Sequence, residues 1–232
     1  MIFRGWQKTS LIEYPGKVVS VLWVGGCNFR CPWCYNKDLV SNPEKLPSIT
    51  EDEILDFLKT RIGLLDGIII TGGEPTLKGG LYDFVKKVKT TGFLIGLETN
   101  GSRPELLKKL IKEKLIDFVA MDIKAPLDEN KYKEVCGVKV DLNKIKKSIK
   151  IIKDSGVDYE FRTTVIPDLT KNDIIKIAKY LSGVKKYALQ QFVPKDTILK
   201  EEYRKLKPHP DEELKMMQKE AKKFIKNIKL RI

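Results

Sequence analysis

Histidine is almost absent from this chain of 232 residues, in which His209 is the only one. Without a second histidine, the sequence argues against a metal site built from imidazoles and against a catalytic triad of serine, histidine and acid. His209 lies between two prolines and just ahead of Asp211 and Glu212. We therefore expect it to lead into the last helix of the chain.

Long apolar stretches are lacking as well. No run approaches the roughly 20 apolar residues that cross a bilayer, and the first eight residues lack the apolar core of a signal peptide. We therefore expect a cytoplasmic protein that does not enter the membrane. The hydrophobic fraction of 42% over 232 residues is enough for a full core. Because no low-complexity segment or domain linker stands out, the sequence predicts one domain over 1–232.

Cysteine is scarce, and three of the four cysteines fall within one short stretch, from Cys27 to Cys34. Such crowding differs from a disulfide framework and favours metal binding in a reducing compartment. The fourth cysteine, Cys136, lies beside Gly137 in a predicted loop and has no cysteine near it in the sequence. We interpret it as a free thiol.

Positive charge is what the chain has in excess, with a formal net charge of +13. Most of this charge is lysine scattered among Glu and Asp on predicted helix faces, which is typical of a solvated surface. Because the lysines are scattered in this way, the positive charge does not by itself indicate a nucleic-acid partner, although that alternative stays open.

Short β-rich runs alternate with amphipathic helical stretches, the pattern of a parallel sheet with helices on its outer face. Six such units predict an α/β fold, a partial (β/α)6 barrel of TIM type, and a flat doubly wound sheet is the competing architecture. We place the core over about 15–195 and a C-terminal helix over about 211–227. The predicted strands are 18–23, 67–71, 93–98, 118–122, 159–165 and 187–192, and the other predicted helices are 50–59, 81–89, 104–112, 142–154 and 172–181.

The cysteine stretch directly follows the first predicted strand, at the end of the sheet where α/β folds place their active sites. Three thiolates on one short loop can hold three irons of a cubane and leave the fourth iron without a protein ligand. A structural zinc site would need a fourth protein ligand, for which only Cys136 or His209 is available. A zinc-binding interaction module is therefore the alternative that is not an enzyme.

The spacing of Cys27, Cys31 and Cys34 resembles the CxxxCxxC signature of the radical S-adenosylmethionine (SAM) superfamily. This resemblance implies a 4Fe-4S cluster on the three cysteines, with SAM bound to the open iron. It also places Trp33, the residue before the last cysteine, near the adenine of SAM. The implied activity is that of an oxidoreductase that cleaves SAM to a 5′-deoxyadenosyl radical, which then takes hydrogen from a substrate.

A second motif, Gly72-Gly73-Glu74, follows the second predicted strand and resembles the GGE motif of the same superfamily. In that motif the glycine backbone and the glutamate receive the methionyl ammonium of SAM. Glycine pairs that end a strand are also ordinary turn elements. The weight of the motif therefore comes from its place one β/α unit after the cysteines.

Two later strand ends resemble the (D/E)TNG and DxK segments of glycyl-radical enzyme activases, which implies polar side chains gathered near the carboxylate of SAM. Arg162, inside the fifth predicted strand, is expected to point either into the barrel toward the cofactor or outward. The side chains at the two strand ends are Glu98, Asn100, Asp122 and Lys124. The same resemblance implies a monovalent cation, with ligands from Glu98, Thr99, Met121 and Asp122.

The segment Tyr35-Asn36-Lys37 and the stretch from Trp6 to Gly16 resemble activating proteins of anaerobic ribonucleotide reductase. The late-barrel histidine of pyruvate formate-lyase activase has no counterpart, and no further cysteine-rich region offers an auxiliary cluster. The resemblance thus implies an anaerobic enzyme that makes a glycyl radical on that reductase, with a low-potential electron donor such as flavodoxin or ferredoxin. The alternatives are a pyruvate formate-lyase-type activase and a radical SAM enzyme that acts on tRNA or a purine-like molecule, similar to 7-carboxy-7-deazaguanine synthase.

Overall fold

An eight-stranded sheet is the centre of the computed structural model, which describes residues 1–232. The strands of the chain are β1 (Ile2–Phe3), β2 (Gly5–Ser10), β3 (Val19–Val24), β4 (Ile49–Thr50), β5 (Gly67–Gly72), β6 (Leu94–Thr99), β7 (Phe118–Asp122), β8 (Asp158–Val165), β9 (Tyr187–Gln191) and β10 (Ile228–Arg231). The large sheet has the order β10-β9-β8-β7-β6-β5-β3-β2, while β1 and β4 form a separate antiparallel pair. All neighbours in the large sheet are parallel except β2 and β3.

Helices connect the parallel strands, and the longer ones each bury an apolar stripe. In α3 that stripe consists of Leu81, Phe84, Val85 and Val88, which have the spacing of one helix face. The helices are α1 (Lys37–Ser41), α2 (Glu51–Lys59), α3 (Leu81–Lys89), α4 (Pro104–Lys112), α5 (Glu129–Cys136), α6 (Leu142–Asp154), α7 (Lys171–Tyr180), α8 (Glu201–Arg204) and α9 (Asp211–Ala221). None of them is long and apolar enough to cross a membrane.

The six predicted strands are the consecutive strands β3 and β5 to β9, so the α/β fold of partial-barrel type is confirmed. Two edge strands extend this core. The sequence of β2, GWQKTS, is largely exposed and lacks the apolar alternation that would reveal a strand. The C-terminal helix was predicted over about 211–227 with no strand after it, whereas α9 ends at Ala221 and the chain goes on to form β10.

The lower part of the barrel interior, near the N-terminal ends of the strands, is apolar. The Tyr14 ring stacks on Phe118 with 4.7 Å between ring centroids, and Val19, Val21, Ile69 and Ala120 complete this small inner core. Because β2 and β10 do not pair with each other, the barrel wall stays open between them.

The prediction that Cys136 lies in a loop is wrong, because Cys136 is the last residue of α5. This helix is short and mostly charged, so its apolar stripe of Tyr132, Val135 and Cys136 is too brief to give a clear helical period. Asp128 caps its start by accepting a hydrogen bond from the Lys131 amide at 2.9 Å. Gly137, in the left-handed region, ends it.

Candidate active site

A cavity of about 310 Å³ lies at the C-terminal ends of the parallel strands. Its lining includes every residue that the sequence singled out for a cofactor or cluster: Cys27, Cys31, Trp33, Cys34, Gly72, Gly73, Glu74, Glu98, Asn100, Asp122, Lys124 and Arg162. Thr99 also lines it, whereas Met121 does not. The Met121 side chain is fully buried on the other face of β7, where its Cε atom lies against Gly101.

The cysteine loop leaves β3 and folds back over the cavity. Within it the Cys34 amide donates to the Cys31 carbonyl oxygen at 3.0 Å, and the Phe29 amide donates to the Cys27 sulfur at 3.3 Å. Cys31 is buried, and the other two cysteines are half-buried. Burial raises the pKa of Cys27 to about 11 and raises the pKa of Cys34. Metal binding to this loop must therefore displace thiol protons.

The three sulfurs share a cavity, yet no three Cys, His, Asp or Glu side chains converge tightly enough to hold a single metal ion. Ligands of a multi-iron cubane are spaced more widely than ligands of one tetrahedral ion. His209 gives no support to a zinc site, because its ring nitrogens bond Glu213 at 2.9 Å and the Ile166 carbonyl at 3.2 Å. It precedes α9, where the sequence placed it.

Trp33 and Lys124 line the cavity beside the three cysteines. The Trp33 indole nitrogen donates to the Val135 carbonyl at 2.9 Å, and the Lys124 ammonium lies 4.8 Å from the centre of the Trp33 ring. Lys124 also pairs with Asp122 at 2.7 Å. Burial alone would lower the pKa of Lys124, but the charges of Asp122 and Cys31 more than offset it and raise that pKa. Lys124 is thus a fixed cation in the cavity.

The two glycines of the GGE motif allow β5 to approach the start of the cysteine loop. A Cβ atom at Gly72, which has a φ of +115°, would lie 2.5 Å from backbone atoms of Val24. A Cβ atom at Gly73 would lie 2.0 Å from the Gly26 carbonyl oxygen. Only glycine fits this close backbone contact, and it leaves a cradle without side chains beside Cys27.

Glu74 is fully buried and ties this cradle to the end of β6. Its carboxylate accepts hydrogen bonds from the amide and hydroxyl of Thr76, from the Thr99 hydroxyl at 2.8 Å and from the Asn100 amide at 2.7 Å. Burial raises the pKa of Glu74, and these four donors oppose that rise. The carboxylate is therefore held in one orientation.

Asn100 links β6 to the cysteine loop. Its side-chain nitrogen donates to Asn28 Oδ1 at 3.0 Å and approaches the Cys27 sulfur at 3.8 Å, while its side-chain oxygen accepts from the Ser102 amide at 2.9 Å. Asn28 in turn donates to the Ser102 hydroxyl at 3.0 Å. This network fixes the loop on which the first cysteine lies.

Arg162 points into the cavity, which is one of the two orientations expected from the sequence. It pairs with Glu98 and with Glu160, the latter at 2.9 Å, and its Nη2 atom lies 3.4 Å from the Glu13 carbonyl oxygen. Arg231 on β10 pairs with the same Glu160 at 2.7 Å. A buried charge network thus joins β6, β8, β10 and the segment after β2.

Sequence reasoning missed several residues of this cavity, among them Glu13, Thr164, Gln190 and Gln191. Thr164 and Glu160 are two residues away from Arg162 in β8, so the period of a strand places them on its face and could have found them. Gln191 is different. Its Oε1 atom is the one buried side-chain polar atom without a hydrogen-bond partner in the structure, and no sequence signal marks it.

Taken together, these residues fit an iron–sulfur cluster and a bound nucleoside with an amino-acid tail. Three thiols supply the ligands that such clusters take. The cradle at Gly72 and Gly73, which a Cβ atom at either position would fill, offers backbone groups. Lys124 and Arg162 provide fixed positive charge for a carboxylate.

Comparisons with known proteins agree with this chemistry. The sequence profile of the radical SAM superfamily matches residues 21–181. A protein of Methanocaldococcus jannaschii named "Putative glycyl-radical enzyme activating enzyme" is 40% identical over 231 residues, which cover 96% of this chain and 92% of that protein. The pyruvate formate-lyase-activating enzyme of Clostridium pasteurianum is 27% identical over 229 residues, or 94% of this chain and 92% of that enzyme.

Among solved structures, SuiB of Streptococcus suis superposes with a TM-score of 0.71 at 15% sequence identity. The match covers 91% of this chain and 48% of SuiB, so the chain shares the fold and spans about half the length of that protein. The family implies a 4Fe-4S cluster and SAM as cofactors, and it rules out the alternative of a zinc-binding interaction module. The chain belongs to the radical SAM superfamily of enzymes, in the family of glycyl-radical enzyme activating enzymes.

Proposed function

We propose that this enzyme cleaves SAM reductively and generates a glycyl radical on anaerobic ribonucleotide reductase. The observation that carries the proposal is one cavity that joins the three cysteines to Arg162 and Gln191 on the far strands. The barrel wall is open between β2 and β10. A glycine-bearing loop of a partner protein can enter through this opening. An open side is required, because a whole protein that donates hydrogen is too large to be enclosed in the cavity.

In this proposal Cys27, Cys31 and Cys34 hold the cluster, and its fourth iron is left for SAM. When bound and reduced, the cluster supplies the electron that splits SAM into methionine and a 5′-deoxyadenosyl radical. Cys31 and Trp33 are both buried, which limits the access of water to this part of the cavity. Water exclusion protects a reactive radical from side reactions.

The remaining residues orient SAM. Backbone groups of Gly72 and Gly73 receive the methionyl ammonium, with Glu74 supplying negative charge behind them, and Asn100 holds the edge of that site. Lys124 pairs with the methionyl carboxylate, and Trp33 borders the adenine. Glu98, Asp122 and Arg162 set the charge around SAM, and each carboxylate already has a cationic partner, which is Arg162 for Glu98 and Lys124 for Asp122.

A monovalent cation is part of the proposal, with oxygen ligands from Glu98, Thr99, Met121 and Asp122. Because the Met121 side chain faces away from the cavity, only its backbone oxygen can serve. Arg162 and Lys124 already neutralise the two carboxylates, so we expect the cation to change SAM affinity by only a few-fold. Titration of SAM into the enzyme in potassium and in tetramethylammonium buffers measures this effect.

The test of the main proposal is a radical assay. Enzyme reconstituted with iron and sulfide and reduced by flavodoxin or ferredoxin is incubated anaerobically with SAM and anaerobic ribonucleotide reductase. A glycyl-radical signal in the electron paramagnetic resonance (EPR) spectrum of the reductase is expected. The Cys34→Ala variant, treated in the same way, is the matched control and should give none.

Two other outcomes separate the alternatives. A signal on pyruvate formate-lyase but not on the reductase would assign the enzyme to the other activase type, to which the relative from Clostridium pasteurianum belongs by name. SAM cleavage that is stimulated by tRNA or a purine nucleotide, without a signal on either protein, would sink the proposal. Nucleic acid that copurifies with the enzyme would point the same way, given the charge of +13.

A further inference from the structure

A cleft of about 670 Å³ lies between the starts of α4 and α6, next to the beginning of the cysteine loop. Ser102 lines this cleft, and its hydroxyl accepts a hydrogen bond at 3.0 Å from the side chain of Asn28, the residue after Cys27. Lys78 lines it as well, and its Nζ atom would lie 3.4 Å from a Cβ atom at Gly26, the residue before Cys27. The cleft therefore reaches both chain neighbours of the first proposed cluster ligand.

Positive charge is in excess in this cleft. The only carboxylate in its lining is that of Glu105, which pairs with Lys147. Three further cations, Lys78, Arg103 and Lys144, form no ion pair, and the last two are exposed. The first turns of α4 and α6 also border the cleft, and the N-terminus of a helix carries partial positive charge. The surface beside the cysteine loop therefore presents a positive potential to the solvent.

Two other surface clefts show that this excess is local. The cleft between α2 and α3 is lined by three aspartates and three lysines. The cleft beside the start of α6, lined by residues between 127 and 146, has three carboxylates and two lysines. In both of these clefts carboxylates balance the lysines, whereas beside the cysteine loop they do not.

We propose that the cleft is the docking surface for the protein that reduces the cluster, and that this protein is an acidic one-electron carrier. The inference rests on the proposed cluster ligands, because Cys27 is what brings the cleft close to the cluster. One electron passes from the carrier, which is oxidised, to the cluster, which is reduced. Such a transfer needs a short distance between the two redox centres, and the cleft provides it.

The chemistry of the cleft fits a protein carrier better than a nucleic acid. Complexes between redox proteins are small and transient, and complementary charge sets their association rate and orientation. A nucleic acid instead needs a basic groove or stripe that follows its phosphate backbone. Here the unpaired cations are confined to one cleft, and the neighbouring cleft that shares Asn143 with it has more carboxylates than lysines.

The test compares two double variants that change the net charge of the protein equally. Arg103→Glu with Lys144→Glu reverses two exposed, unpaired cations of the cleft. Lys222→Glu with Lys226→Glu is the matched control, since it reverses two exposed lysines that follow α9. That helix packs on α7 and β10, away from the cleft. The probe is flavodoxin, an acidic flavin protein, added to enzyme that has been reconstituted with its cluster.

Two measurements are made at low salt. Isothermal titration calorimetry measures the binding of oxidised flavodoxin, and the EPR signal of the reduced cluster in freeze-quenched samples measures electron transfer from reduced flavodoxin. We expect the cleft variant to bind flavodoxin more weakly and to be reduced about tenfold more slowly than the wild type, because interface charges set the association rate. The control variant should resemble the wild type, and high salt should narrow the difference between the two variants.

Photoreduced deazariboflavin, a small reductant that needs no docking surface, should reduce all three proteins at the same rate. Equal slowing by flavodoxin in both double variants would show that only net charge matters and would overturn the proposal. Slowing of the cleft variant that is equal with flavodoxin and with deazariboflavin would place the effect at the cluster and would overturn it as well. Unchanged flavodoxin binding and electron transfer in the cleft variant would also overturn it, and a loss of tRNA binding in that variant would then assign the cleft to nucleic acid.

These measurements need neither SAM nor a glycyl-radical enzyme. Failure of the glycyl-radical assay therefore leaves their result readable. If the carrier docks elsewhere, electrons still reach the cluster, and the glycyl-radical assay is unaffected.

Discussion

Two walls of the cavity differ in how completely their polar groups are satisfied. The early wall comprises the cysteine loop and the ends of β5 and β6, and there the Glu74 carboxylate has four protein donors and Asn100 is bonded on both sides. The late wall comprises the ends of β8 and β9, with Arg231 of β10 paired to Glu160 behind it. It carries the Arg162 charge network and the unpartnered Gln191 oxygen.

This difference indicates that the two walls have different functions. A site whose side chains are locked by their own hydrogen bonds is preorganised and costs little to reorganise when a cofactor binds. A wall with an unpaired acceptor is completed only by what enters the cavity. We therefore expect changes in the early wall to affect the cluster and SAM, and changes at the unpartnered Gln191 of the late wall to affect the coupling to the protein partner.

The largest effect should come from the cysteines of the early wall. Replacing Cys27, Cys31 or Cys34 by Ala removes one of only three proposed iron ligands, so each variant should lose the cluster and all SAM cleavage. Iron and sulfide analysis after anaerobic reconstitution, together with an assay for 5′-deoxyadenosine, measures both. Retained cleavage in any one variant would show that the ligand assignment is wrong, and Cys136→Ala is the control that should keep its iron.

The second test changes the hydrogen bonds that hold the Glu74 carboxylate in one orientation. Glu74→Gln keeps the shape but turns one acceptor oxygen into an NH₂ group that faces protein donors. One buried donor then loses its partner, which costs about 1–3 kcal/mol of unfolding free energy, and we expect SAM affinity to fall by at least tenfold. Denaturant unfolding and SAM titration measure the two effects.

Glu105→Gln is the matched control for Glu74→Gln. Glu105 is a glutamate in α4 whose side chain is largely exposed and which pairs only with Lys147 at the surface. Surface pairs contribute little to stability, so this variant should resemble the wild type in both assays. Equal SAM affinity in Glu74→Gln and the wild type would contradict the idea of an early wall that is preorganised for SAM.

The early wall is also the part that the sequence reveals best. Its motifs directly follow strands such as β5, whose run of isoleucines is easy to recognise, and parallel strands bring their ends to one rim. The spacing of Cys27, Cys31 and Cys34 lies within eight residues, so no tertiary information is needed to group them. The four donors around Glu74, in contrast, come from the turn after β5 and from the end of β6, and they become visible only in the structure.

Sequence reasoning predicted little of the late wall or of the contact between the end of α5 and the cysteine loop. The contact of Cys136 with the cysteine loop joins segments that are far apart in the chain, and the charged helix α5 gives little sign of being a helix. β2 is a polar edge strand, and for such strands pairing with a neighbour decides the conformation more than local preference does. Glu160 was within reach of strand periodicity, because it is two residues before Arg162.

The late wall is tested at Gln191. Gln191→Leu removes the unpartnered oxygen and also the hydrogen bond from its nitrogen to the His209 carbonyl at 2.7 Å. We expect the yield of glycyl radical per SAM cleaved to fall about tenfold, as for the loss of one hydrogen bond to a buried group, with cluster content unchanged. Gln191→Glu keeps an acceptor but loses the donor to His209. It should retain most of the coupling, and an equal loss in both variants would assign the effect to the His209 contact instead.

The smallest effect should come from a residue in neither wall. Glu53 and Thr50 form a capping box at the start of α2, in which the Thr50 amide donates to Glu53 at 2.7 Å. Hydrogen bonds from the Thr50 amide and hydroxyl lower the pKa of the exposed Glu53 below its ordinary value of 4.5. A lowered folded-state pKa means that this stabilisation is fully present above about pH 4.5 and is lost as the pH falls through the folded value.

Glu53→Ala should therefore lower the Tm slightly at pH 7 and by less at pH 3.5, measured by circular dichroism on cluster-free protein. A Tm difference that is equal at both pH values would mean that the charge of Glu53 has no part in the cap. A changed reduction potential of the cluster at pH 7 would contradict the separation between the two walls and the rest of the fold.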